Sequence, residues 1–148
     1  VDYHLGQVLV AKDDVIIIDF EGEPTRPLAA RRGKHSPLRD VVGMLRSFNY
    51  AAHAALRQAT TDGTRDQVVL LPQVSVWEQQ TRAAFLDGYA QAAGDGPGYP
   101  TDPDQIQMLL ELFTLEKACY ELRYELDNRP DWVAIPLGGL AAVKAFVL

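Results

Sequence analysis

Two short runs of β-branched residues, Val8-Leu9-Val10 and Val15-Ile16-Ile17-Ile18, stand on either side of the polar triplet Lys12-Asp13-Asp14. Apolar runs this short, rich in Val and Ile and divided by a turn, predict a β-hairpin. A hairpin constrains whatever flanks it, because the pairing of its strands fixes their register. Gln7, just before the first strand, and Asp19, at the end of the second, are therefore expected at one edge of the hairpin. Asp2 lies upstream, in the loop that feeds the first strand.

Two acids and a carboxamide at one edge suit phosphoryl transfer. One acid can face an acceptor hydroxyl while the other acid and the amide hold a metal, and this chemistry is mostly positioning and neutralisation of phosphate charge. Protein kinases carry an Asp, an Asn five residues later and a metal-binding Asp after the next hairpin; the same slots here read Asp2, Gln7 and Asp19.

Longer motifs sharpen the comparison. Asp2-Tyr3-His4-Leu5-Gly6-Gln7-Val8-Leu9, Ile18-Asp19-Phe20-Glu21-Gly22-Glu23-Pro24 and Ser36-Pro37-Leu38-Arg39-Asp40-Val41 through Met44-Leu45-Arg46-Ser47-Phe48-Asn49-Tyr50 occur in that order. Near the end come Lys117-Ala118-Cys119-Tyr120-Glu121-Leu122-Arg123-Tyr124-Glu125 and Asn128-Arg129-Pro130-Asp131-Trp132. Together they resemble the bacterial maltokinases, including those fused to trehalose synthase, which are relatives of the aminoglycoside phosphotransferases. The sequence departs from that family in lacking the His-Gly that usually precedes the catalytic Asp. The resemblance also implies an amino-terminal, ATP-covering lobe for which residues 1–148 leave no room, so the chain is expected to be the carboxy-terminal lobe alone.

What the resemblance implies is ATP-dependent phosphorylation of maltose to maltose 1-phosphate. In that scheme Asp2 is catalytic, Gln7 and Asp19 hold Mg²⁺ on the ATP phosphates, and Glu21 is a further candidate carboxylate. Lys117, Tyr120 and Tyr124, joined by Glu121, would bind the sugar. By themselves those residues read rather as a half-buried helix face whose hydroxyls meet water; the resemblance is what turns the reading toward sugar. Pairing with trehalose synthase is the implied partnership, and pairing with a second copy is expected separately, through apolar surface around the hairpin that a missing lobe would uncover. The alternative is a non-catalytic module that binds sugar or another chain.

Composition narrows the partners. A net charge of −6 argues against nucleic acid and anionic membrane, which want a basic face. No apolar run approaches the roughly 20 residues of a membrane span and no signal-peptide pattern opens the chain. The one cysteine, Cys119, rules out an internal disulfide and suits a reducing, cytoplasmic setting. It is expected to be a small buried hydrophobe.

After the hairpin, residues 21–35 read as a loop with the basic cluster Arg26, Arg31, Arg32 and Lys34. Ser36-Pro37 starts a helix with an apolar face of Val41, Leu45, Phe48, Ala52, Ala55 and Leu56. Asp40 on that helix is expected in a buried Arg–Asp brace for the catalytic loop, the alternative being a surface ion pair. Pro72 is expected to precede a second helix with Val76, Trp77, Ala84, Phe85 and Tyr89 inward. Asp102-Pro103 caps a third, Asn128-Arg129-Pro130 ends it, and a closing helix is expected from Leu137. The fold class is α+β: one hairpin followed by a mainly helical bundle.

Overall fold

The computed structural model describes residues 3–20, 27, 29, 33–61, 66–94, 96 and 98–143. Asp2, Glu21 and the basic residues Arg26, Arg31 and Arg32 lie outside them. A short 3₁₀ turn, Leu5–Gln7, leads into an antiparallel hairpin of β1 (Val8–Ala11) and β2 (Asp14–Ile17). Its register pairs Val8 with Ile17 and Ala11 with Asp14, leaving Lys12 and Asp13 as a two-residue turn. Lys12 takes the left-handed conformation (φ 59°) that such turns demand.

Among the described residues four α-helices follow: α1 (Leu38–Thr61), α2 (Gln67–Ala93), α3 (Pro103–Asn128) and α4 (Ala134–Ala141). α1 is the central helix. Ser36 accepts the Leu38 amide at 3.3 Å to start it, and Leu38, Val41, Met44, Leu45 and Phe48 form the buried core. Phe85 and Tyr89 of α2 and Ile106, Leu110 and Phe113 of α3 close over that core. α2 and α3 pack on α1 and hardly on each other. This arrangement is a kinase-like carboxy-terminal lobe, a hairpin with a helical bundle, as expected.

Local chemistry sets the ends of α3. Asp102 accepts the Asp104 amide, Pro103 occupies the first position, and the helix stops at Asn128 before Arg129 and Pro130.

Several expectations are corrected. Pro72 does not precede α2 but lies inside it, because the helix begins at Gln67, where Asp66 accepts the Val68 amide. The closing helix starts at Ala134, with Pro136 in its first turn, where the missing N–H has no helical acceptor to lose. Trp77, Val76, Ala84 and Ala55 are exposed, so the inward face of α2 is set by Phe85, Leu86 and Tyr89. Cys119 is exposed as well, since it is the neighbouring Ala118, fully buried, that points into the bundle.

Two ion pairs tie α1 to α3. Arg39 bonds to Glu116 of α3, and Asp40 lies near Tyr89, whose hydroxyl is pushed up first by burial and then by that carboxylate. The buried arginine is Arg46, bonded to Glu121.

Candidate functional site

The loop before the hairpin is organised by its own side chains and then fastened to α1. His4 Nδ1 accepts the Gly6 amide at 3.0 Å, and the Gln7 amide donates to the His4 carbonyl at 2.8 Å. His4 thus orients the loop. Ser47 Oγ of α1 accepts the Leu5 amide at 2.9 Å. One turn earlier on α1, the Tyr3 carbonyl oxygen approaches so closely that a Cβ on Gly43 would stand 2.5 Å from it. Gly43 is what lets the loop cross the helix at backbone distance.

Beyond the loop, Gln7 and Asp19 meet. The Ile18 amide donates to the Gln7 carbonyl at 2.9 Å, extending the hairpin pairing by one step. Gln7 Nε2 then donates to Asp19 Oδ2 at 2.8 Å. Asp19 sits in the left-handed region (φ 58°), where Asp and Asn are among the few side chains tolerated. A carboxylate and a carboxamide oxygen are hard donors, and Mg²⁺ is usually held by one or two carboxylates with water and phosphate completing the shell. The pair therefore fits Mg²⁺ as a partial site. Among the described residues no group of three or more His, Cys, Asp and Glu side chains converges.

The second group of sequence-predicted residues lies on α3. Lys117, Tyr120 and Tyr124 follow one another along one face, with Tyr120 and Tyr124 exposed. The Lys117 ammonium stands 5.1 Å from the Tyr120 ring centre and the Arg129 guanidinium 5.6 Å from that of Tyr124. Each ring thus carries a cation over one face. Glu121 does not share their exposure: it is buried and receives the Arg46 Nε and Nη2 hydrogens on Oε2 at 2.9 and 2.6 Å.

Behind that face runs a polar network that was not anticipated from the sequence. Arg46 Nη1 donates to Asn49 Oδ1 at 3.2 Å, and Asn49 Nδ2 donates to both Glu78 oxygens at 3.0 Å, joining α1 to α2. Glu125, buried almost completely, accepts Tyr50 O–H at 3.0 Å and Arg129 Nε and Nη2 at 2.9 and 2.7 Å. That fork raises the Arg129 pKa. Burial first, then Glu121 and the bond to Glu125, push the Tyr50 hydroxyl far above its ordinary range. The signal available in the sequence was the i, i+4 spacing of Glu121 and Glu125, two acids on the face that also carries the buried Ala118.

No family model matches the chain. It is similar to the glucosamine kinase of Streptacidiphilus jiangxiensis, 26% identical over 137 residues that make up 91% of this chain and 28% of the relative. It is also similar to that of Mycolicibacterium smegmatis, 27% identical over 145 residues, 96% of this chain and 33% of the relative. Among solved structures, a glucosamine kinase in complex with glucosamine, ADP and inorganic phosphate superposes with a TM-score of 0.77 at 25% identity, covering 95% of this chain and 31% of that one. A second crystal form gives 0.75 at 25% identity, covering 95% and 32%. The chain spans about a third of the length of these relatives. Over nearly all of its own length, then, this kinase-like lobe is similar to part of the glucosamine kinases.

Proposed function

We propose that this chain is the carboxy-terminal lobe of an ATP-dependent sugar kinase. The observation that carries the reading is the Gln7–Asp19 contact at the hairpin edge, with the preceding loop bonded to Ser47. Mg²⁺, when bound, supplies neutralisation of the nucleotide phosphates, and Asp19 and Gln7 would hold it. Asp2 orients the acceptor hydroxyl and takes its proton as the γ-phosphoryl group passes to the oxygen, leaving ADP. Lys117, Tyr120 and Tyr124 hold the sugar, the rings against its C–H faces and the ammonium on its hydroxyls.

Glucosamine is the first acceptor to test, since the relatives similar to almost the whole chain carry that name. Maltose, giving maltose 1-phosphate, is the second reading; it rests on the motif resemblance and brings with it the pairing with trehalose synthase. An amino-terminal lobe is part of the proposal, because transfer needs the nucleotide phosphates held from both sides. A cytoplasmic location fits the free, exposed Cys119.

The test is ADP release by the complete two-lobed protein with glucosamine and maltose in parallel, beside Asp2→Asn and Asp19→Asn. Sugar-dependent ADP that both substitutions abolish supports the reading. ADP release with neither sugar would favour the non-catalytic alternative, a sugar-binding or protein-binding module.

A further inference from the structure

α1 and α3 run parallel, and the polar residues that meet between them keep a nearly constant spacing in the sequence. Arg39 meets Glu116, Arg46 meets Glu121, Tyr50 meets Glu125 and, just past the end of α3, Arg57 meets Asp131, at separations of 77, 75, 75 and 74 residues. Arg46 with Glu121 is the rung buried on both sides. Its guanidinium rests on Gly139 of α4, where any Cβ would overlap it. Its third hydrogen bond, through Asn49 to Glu78, reaches α2.

This rung discriminates between registers. Sliding α3 by one turn in one direction sets Glu121 against Val42, a buried side chain with no hydrogen to donate. Sliding it the other way brings Lys117 against the buried Arg46. The first brings Glu125 opposite Arg46 but leaves Glu121 desolvated against Val42 without a cation, and the second opposes two cations, so both alternatives are disfavoured. Buried polar pairs have their best-attested role in selecting register in this way.

The register matters because α1 also carries the catalytic loop, through Ser47 and Gly43. We propose that the Arg46–Glu121 pair sets the axial position of α3, and with it the Lys117–Tyr120–Tyr124 face, relative to that loop, making Arg46 a positioning residue for the sugar. The sugar role of that face rests on the function proposed above; the register does not.

The test replaces the pair by apolar residues of similar size, Arg46→Met with Glu121→Leu, a change that leaves no orphaned charge and is commonly tolerated. Spin labels on the exposed Cys119 of α3 and on Ala55→Cys, an exposed position of α1, report the register directly by pulsed electron resonance. Wild type should give one narrow distance. The double variant should add a population displaced by about one helical turn, ~5 Å, and in the two-lobed enzyme raise the sugar KM roughly tenfold or more, with the ATP KM within about twofold. Should it fail to fold, Arg46→Lys, which keeps the charge and loses the fork, must broaden the distance instead. An unchanged narrow distance in the folded variant overturns the inference. A shifted distance in a protein that phosphorylates neither sugar retains the register device and refutes the sugar role alone.

Discussion

Gln7 and Asp19 are twelve residues apart and share a hydrogen bond of 2.8 Å, because the pairing of Val8 with Ile17 brings the ends of both strands to one edge. The left-handed backbone at Asp19 makes Asn the informative replacement, since Asn tolerates that conformation while losing the charge. Asp19→Asn in the two-lobed enzyme should abolish turnover with the melting temperature and circular dichroism unchanged. Near-normal turnover at saturating Mg²⁺ would remove Asp19 from the metal site.

Gly43 tests how the loop before the hairpin is held. On an isolated helix Ala would be favoured over Gly by about 1 kcal/mol. Here the new Cβ would stand 2.5 Å from the Tyr3 carbonyl oxygen, which is backbone and cannot rotate aside. The clash outweighs the propensity, and Gly43→Ala should destabilise by roughly 1–3 kcal/mol and weaken the Leu5–Ser47 bond. Amide hydrogen exchange at Leu5 reads this directly: faster exchange is expected, and unchanged protection would mean that the loop is held elsewhere.

Tyr124 separates sugar binding from helix stability. Its ring is exposed and has Arg129 over one face, while Glu125 keeps the Arg129 guanidinium in place independently. Tyr124→Ala should therefore leave the bundle folded and raise the KM for the sugar but not for ATP. An equal rise in both constants would show a general loss of the lobe's geometry and would refute the platform.

Tyr50 gives a pH dependence with a definite sign. Its hydroxyl is pushed above the ordinary phenol value near 10 by burial, by Glu121 and by its bond to Glu125. In that range the folded protein keeps a proton that the unfolded chain has lost, so this contribution is complete below about pH 10 and disappears as pH rises through the folded value. Tyr50→Phe should cost about 1 kcal/mol at neutral pH and flatten the fall of the urea midpoint between roughly pH 9 and 11. Tyr89, shifted the same way, leaves a residual slope. Parallel slopes in wild type and variant would show that Tyr50 titrates as a free phenol.

The features legible in the sequence were those written in local chemistry. Ser36-Pro37, Asp102-Pro103 and Asn128-Arg129-Pro130 bound their helices because caps act within a turn, and the Gln7–Asp19 edge followed from strand pairing alone. Pro72 misled because Asp66 offers an earlier cap and the helix accommodates a proline at its sixth residue. Residue type alone puts Trp77 and Cys119 inside, whereas their exposure depends on which helices pack against α2 and α3. The Arg46–Glu121 and Tyr50–Glu125 rungs join residues 75 positions apart, a distance over which periodicity carries no information.

The hairpin carries the last prediction. Leu9, Val10, Val15, Ile16 and Phe20 are all exposed, Val10 at 79% and Phe20 at 70%. The first four come from both faces of a two-stranded sheet, which is marginal by itself in water and has unpaired edges that can accept another strand. Exposed apolar surface of this kind is ordinarily covered by another chain or lobe. Residues 1–148 on their own should therefore self-associate through the hairpin and, without the second lobe proposed above, release no ADP with either sugar. Val10→Lys, placing a charge at the centre of the strand, should shift light scattering back toward the monomer without changing the helical signal. A wild-type chain that is strictly monomeric at high concentration would refute the association, and sugar-dependent ADP release by it would refute the need for a second lobe.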